Sequence, residues 1–224
     1  MSMKDFQFYP IDREAMDKFL GICQRQQYPA KTTIMRPGDA GQSLLYLIEG
    51  SVTVSTEGDD GRELILSYLN PGDFIGEMGL FMKPNERESL VRTKTRCEVA
   101  EVSYLRLREA LENELREYAV DILTAIGSKL AQRLLYARRK VHHLAFLDTQ
   151  GRIAKSLIDL CSEPDAISHP EGTQIKITRQ ELSRIVGCSR EMAGRVMKTL
   201  EDEGMIRASG KTVVVLGTFK GPPG

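Results

Sequence analysis

Over the first hundred positions, short apolar runs alternate with turn-forming residues. Leu44–Ile48, Val52–Val54 and Leu64–Leu66 are bounded by Pro37-Gly38-Asp39, Glu49-Gly50, Asp59-Asp60-Gly61 and Pro71-Gly72-Asp73. Glycine returning every 10–12 residues between β-type runs predicts a compact antiparallel roll or barrel with tight corners. A helix would need a 3.6-residue apolar period carried across those glycines, and the period fails there.

From Tyr104 onward the pattern turns helical. Leu123, Ile126, Leu130, Leu134, Ala137, Val141 and Leu144 follow one another at spacings of 3, 4, 4, 3, 4 and 3, which is an a/d seam. The run continues for about six turns without proline, and Gly127 is its interior breaker. A stripe this narrow predicts a long helix paired with its copy in a second subunit, hence a homodimer. The alternative is a single amphipathic helix lying on the β domain.

Past Asp148 the chain reads as a smaller helical unit. Ile153, Leu157 and Leu160 have helical spacing, and a Pro/His/Gly loop follows over Glu163–Thr173. Thr178 with Glu181 three residues on is a capping box that opens a short helix to Val186. Gly187-Cys188 makes a turn, and Ser189 caps a second helix from Arg190 to Lys198. Two short helices joined by a glycine-containing turn predict helix-turn-helix, although ordinary helical hairpins share that pattern. Gly204 ends a helix, and Ser209–Thr212 leading into Val213-Val214-Val215 predicts a β-hairpin wing. The expected organisation is α+β: a β-roll with flanking helices over 1–118, a long helix and hinge over 119–148, and a helix-turn-helix domain over 149–224.

Composition narrows the function. The 224 residues are 41% hydrophobic and 28% charged, a globular balance. No apolar run reaches the roughly 18 residues of a membrane span. The start, MSMKDFQFYP, lacks the basic-then-apolar order of a signal peptide, so a cytoplasmic location is expected. Cys23, Cys97, Cys161 and Cys188 lie dozens of residues apart, and His142, His143 and His169 complete no zinc pattern. Reduced thiols are expected, with neither a metal nor an iron–sulfur cluster. No nucleophilic triad in a plausible context, P-loop or metal set points to an enzyme.

The 31 basic and 31 acidic residues cancel, but unevenly. Thr149–Gly224 holds 11 Lys+Arg against 9 Asp+Glu, and Lys176–Lys198 holds six basic residues against two acidic. Because phosphate attraction is screened within about 10 Å, such a local stripe outweighs the neutral total. It points to double-stranded DNA.

Three stretches carry a family resemblance: Gly76-Glu77-Met78-Gly79-Leu80-Phe81, Leu144-Ala145-Phe146-Leu147-Asp148, and Ile175–Val196 with its Ile-Thr-Arg-Gln-Glu-Leu and Gly-Cys-Ser-Arg-Glu. From about Tyr28 to Thr218 the sequence resembles the cyclic-nucleotide-binding transcription regulators of the catabolite activator (CRP/FNR) family. The resemblance implies an N-terminal antiparallel β-roll of the cyclic-nucleotide-binding jelly-roll kind, a long dimerising helix and a C-terminal winged helix-turn-helix. It implies that Arg190 and Arg195 read guanine, since a guanidinium fork matches O6 and N7, and that Glu191 accepts from cytosine. Thr178, Arg179, Gln180, Ser189 and Lys211 would hold phosphates. The target would be a palindrome with TGTGA-like half-sites. The segment Asp165–Gln174 resembles the family's RNA polymerase contact, against the plainer reading of a solvated loop.

In the ligand pocket, Gly76 and Glu77 stand where the family grips a ribose, and Arg87 where it grips the cyclic phosphate. The next position, usually a serine, is Glu88, and the helix pair that recognises adenine is replaced by Ala137 and Arg138. A carboxylate near a phosphate is repelled by about 4 kcal/mol at about 4 Å and an effective dielectric near 20, and Ala137 removes a hydroxyl. These departures weigh against cyclic AMP. Glu88, Met78, Arg36–Asp39 and Arg190–Arg195 resemble the Clp-type branch, whose members bind DNA without ligand and are inhibited by cyclic di-GMP, although that branch tends to keep the helix hydroxyls. The alternatives are a cyclic AMP-activated global regulator and a ligand-independent regulator with a vestigial sensor.

Overall fold

Two four-stranded sheets are built from the predicted β region. The computed structural model describes residues 12–82 and 86–218, so the expectation about a leader at the first ten residues lies outside it. One sheet orders β1 (Gln24–Tyr28), β8 (Cys97–Ser103), β3 (Ser43–Glu49) and β6 (Phe74–Ile75). The other orders β2 (Thr33–Met35), β7 (Leu90–Thr93), β4 (Val52–Glu57) and β5 (Glu63–Leu69). Side chains on a strand alternate faces, and β3 uses both. Leu45 and Leu47 join Val52, Ile75, Val91 and Val99 in one core. Leu44 and Tyr46 face a second core with Phe19, Phe74, Val102 and Leu107. There the rings of Phe19, Tyr46 and Phe74 meet edge to face at 5.0–6.2 Å, the arrangement their quadrupoles favour.

The second core takes in helices α1 (Arg13–Gly21), α3 (Tyr104–Glu112) and the start of α4 (Ala119–Phe146). A four-residue turn of helix, α2 (Met78–Phe81), follows β6. Ile122, Ala125 and Ile126 of α4 are buried there, with Leu130 packed against them. Ile126, which fits the a/d spacing, is buried in this chain's own core, and Leu130 is half-buried beside it. Leu134, Val141 and Leu144 remain 72%, 65% and 50% exposed, and Leu123 and Ala137 are exposed as well. Lys129 pairs with Asp73 at 2.9 Å on the inward side.

The chain divides into two compact units. One holds the residues up to Thr56 with Leu66–Ala137, and the other holds Glu57–Ile65 with the chain from Arg138 onward. The division falls inside α4, and the tip of the β4–β5 hairpin goes with the second unit. Among the described residues no helix is long and apolar enough to cross a membrane.

In the second unit, α5 (Thr149–Leu160) is capped by Asp148, whose carboxylate accepts from Gly151 N at 2.8 Å. A four-stranded sheet orders β11 (Ile206–Ser209), β12 (Thr212–Leu216), β10 (Gly172–Lys176) and β9 (Ile167–His169). The predicted wing is therefore the β11–β12 hairpin. The segment read as a loop over Glu163–Thr173 contains β9 and the start of β10, an antiparallel hairpin stabilised by the pairing of β10 with β12.

Candidate functional site

Both caps of the expected helix-turn-helix form as the sequence dictates. The Thr178 hydroxyl accepts from Glu181 N at 3.0 Å and opens α6 (Arg179–Val186). Gly187, at φ 69°, ends it in the left-handed conformation that favours glycine. The Ser189 hydroxyl then accepts from Met192 N at 3.1 Å and opens α7 (Arg190–Asp202). Ala193, Val196, Met197 and Leu200 of α7 are buried at helical spacing. That burial fixes the opposite face outward, where Arg190, Glu191 and Arg195 are exposed and enter no ion pair among the described residues.

The phosphate-type residues gather beside this face. Ile177 N donates to the Lys211 carbonyl at 2.8 Å, which sets the wing turn next to the start of α6. Arg179, Gln180, Ser189 and Lys211 are exposed, and Thr178 is half-buried. The Arg179 side chain runs past Gly194, where a Cβ would stand 3.4 Å from Arg179 Cδ. Cations and hydroxyls are thus exposed near the starts of α6 and α7, an arrangement suited to phosphate. Glu63, at the β4–β5 tip, pairs with Arg184 of α6 at 3.1 Å. Lys140 of α4 donates to the Ile65 carbonyl, and burial pushes its ammonium down to about 8.

In the roll, Gly76, Glu77 and Arg87 come together. Arg87 is only 9% exposed and enters no ion pair among the described residues. Its Nη1 donates to the Tyr104 hydroxyl at 2.8 Å and its Nη2 to the Ser43 carbonyl at 2.6 Å. The Tyr104 hydroxyl donates in turn to the Gly76 carbonyl at 2.5 Å. Glu77 is 4% exposed. Its Oε1 accepts from Arg133 Nη1 at 2.6 Å, Arg133 also donates to the Phe74 carbonyl, and Oε2 is buried without a hydrogen-bond partner among the described residues. Among the described residues, a buried cation without a carboxylate and a buried carboxylate oxygen without a donor thus flank the Gly76 turn, which suits a ligand that carries both an anion and a hydroxyl.

Glu88, Ala137 and Arg138 are exposed and stand outside this hydrogen-bonded group. The sequence reading missed Tyr104, Ser43 and Arg133. Among the described residues no group of three or more His, Cys, Asp or Glu could hold a metal.

Residues 25–114 match the cyclic nucleotide-binding domain family, and residues 151–217 match the Crp-like helix-turn-helix domain family. The chain is 54% identical over 206 residues to the cAMP-activated global transcriptional regulator Vfr of Pseudomonas aeruginosa, covering 91% of this chain and 94% of that protein. The chain belongs to the CRP/FNR family. It is a DNA-binding transcription regulator with a cyclic nucleotide-binding domain, and the family is one of regulators, not enzymes. It is also 50% identical over 208 residues to the CRP-like protein Clp of Xanthomonas euvesicatoria, covering 93% of this chain and 90% of that one. The solved structure of the c-di-GMP responsive global regulator CLP of Xanthomonas campestris is similar with a TM-score of 0.88 at 51% identity, over 92% of this chain and all of that one. A CRP/FNR-family regulator from Thermus thermophilus gives 0.72 at 27% identity, over 86% of this chain and 93% of that chain.

Proposed function

We propose that the protein is a homodimeric, sequence-specific regulator that binds DNA without ligand and is inhibited by cyclic di-GMP. The observation that carries effector binding is Arg87, a buried guanidinium with no carboxylate partner among the described residues, with Glu77 Oε2, likewise without a hydrogen-bond partner among them, on the residue after Gly76. A phosphodiester supplies the anion, and a ribose hydroxyl supplies the donor. Glu88, one residue on and exposed, repels any phosphate that sits close to it and takes the place of the serine donor that the family offers a cyclic phosphate there. The c-di-GMP responsiveness of CLP supports the same choice. DNA reading falls to Arg190, Glu191 and Arg195, on palindromic TGTGA-like half-sites, with Thr178, Arg179, Gln180, Ser189 and Lys211 on phosphates. Dimerisation falls to Leu123, Leu134, Ala137, Val141 and Leu144, which α4 leaves uncovered. The β9–β10 hairpin, where Ile167 is 54% exposed, serves as the RNA polymerase contact.

A second reading, activation by cyclic AMP, is favoured by the 54% identity to the cAMP-activated Vfr. Fluorescence anisotropy on a TGTGA-type duplex decides between them, with no nucleotide, with cyclic AMP or with cyclic di-GMP. The first reading expects binding without nucleotide and weakening by cyclic di-GMP. Binding only after cyclic AMP is added establishes the second. Binding that neither nucleotide alters establishes a ligand-independent regulator.

A further inference from the structure

The turn Gly76-x-x-Gly79 invites the reading that its glycines make room for a phosphate. The structure gives the room to the protein's own side chains. A Cβ on Gly76, where φ is +83°, would overlap Arg87 Nη1 and stand 2.9 Å from the Ser43 carbonyl oxygen. A Cβ on Gly79 would fall within the Tyr104 phenol. Both glycines are thus dictated by the Arg87–Tyr104 pair.

Tyr104 is itself held on two sides. Its N–H donates to the Gln42 carbonyl at 2.9 Å. It opens α3 directly after Ser103, which caps that helix through Arg106 N at 3.2 Å and pairs with Ser43 across β8 and β3. The two acceptors that orient Arg87, the Ser43 carbonyl and the Tyr104 hydroxyl, therefore come from one rigid corner of the sheet. A guanidinium has five N–H donors. These contacts engage one on Nη1 and one on Nη2, leaving the others for an anion. Burial raises the Tyr104 phenol above its ordinary value, with Arg87 pulling the other way. The hydroxyl stays protonated at neutral pH and can accept from Arg87 while donating to Gly76.

We propose that Tyr104 is the positioning residue of the anion cradle. Its hydroxyl fixes the plane of Arg87 against the β6–α2 turn, so that the remaining donors meet a phosphodiester already oriented. The proposal rests on the reading of the roll as a cyclic-nucleotide site. Tyr104→Phe keeps the ring beside the guanidinium, now 5.8 Å from the ring centre, and removes both hydroxyl bonds.

The test titrates cyclic di-GMP and cyclic AMP calorimetrically into full-length wild type and Tyr104→Phe. It also records the Arg87 Nε–H signal by NMR and the thermal midpoint. The expected result is affinity weaker by about tenfold, a broadened Arg87 signal and a midpoint within a few degrees of wild type. Gly79→Ala, which keeps the Tyr104 hydroxyl but whose Cβ would push the phenol out of its position, should weaken binding likewise and serves if Tyr104→Phe fails to fold. Equal affinities in wild type and variants would overturn the proposal while the nucleotide reading stood. So would weaker binding with the Arg87 signal still sharp. A wild type that binds neither nucleotide would overturn the nucleotide reading, and the proposal with it.

Discussion

Replacing Lys140 with methionine should flatten the rise in stability that the wild type shows between about pH 8 and pH 10.5. In the folded chain burial holds the Lys140 ammonium down to about 8, against 10.5 for the free side chain. The unfolded chain therefore keeps its proton through a window in which the folded chain has lost it. Stability rises with pH wherever the unfolded state binds more protons. The penalty is complete below about pH 8, fades as pH climbs, and is gone above 10.5. At 1.36 kcal/mol per pH unit that gap corresponds to about 3 kcal/mol. Lys140 is only partly buried, and residual water access reduces the figure to about 1–2 kcal/mol. Methionine removes the charge but also leaves the Ile65 carbonyl without its donor, a loss of about 1–3 kcal/mol. The two proteins should accordingly lie close together at pH 7. The charge is isolated by the change in their difference with pH. Urea unfolding of both at pH 7 and pH 9.5, at one protein concentration, should show the wild type gaining about 1 kcal/mol or more on the variant. Other lysines and tyrosines titrate equally in both proteins and cancel. Parallel profiles, or a wild type that loses ground at high pH, would refute the reasoning.

Arg190→Ala should weaken operator binding by about 1–3 kcal/mol and relax discrimination at one base pair of each half-site, read by anisotropy against a panel of mutated duplexes. Lys211→Ala should instead weaken all duplexes alike and reduce the salt slope by about one. Leu134→Glu with Val141→Glu should give monomers in sedimentation, since pairing α4 with its copy would bury charge without a partner; a wild type that is already monomeric at micromolar concentration rejects the seam. Ser189→Ala, which removes the acceptor for Met192 N, should lower stability by about 1 kcal/mol in urea unfolding.

The helix-turn-helix was legible because its signals are local. Thr178 and Glu181, Gly187 and Ser189 act on backbone groups within three or four residues, and the apolar face of α7 needs no distant partner to be seen. The roll's corners were legible for the same reason. The seam was legible only as an apolar stripe, because an a/d spacing states which side of a helix is apolar and not what covers it. On α4 the stripe changes occupant along its length: Ile126 lies under the roll while Leu134 and Val141 lie bare. The β9 strand escaped because a three-residue strand has too little period to register, and its hairpin is held through β12, some forty residues on. The cradle shows the same limit most sharply. Arg87 meets Tyr104 across 17 positions and Glu77 meets Arg133 across 56, so no spacing rule joins them. The one local trace of the cradle was the glycine pair. A glycine forced by a positive φ or a missing Cβ reports that something comes close, and it does so equally for a ligand's phosphate and for a guanidinium from the same chain. Here the neighbours are the Arg87 guanidinium at Gly76 and the Tyr104 phenol at Gly79, so the glycine pair reports the packing of this chain on itself.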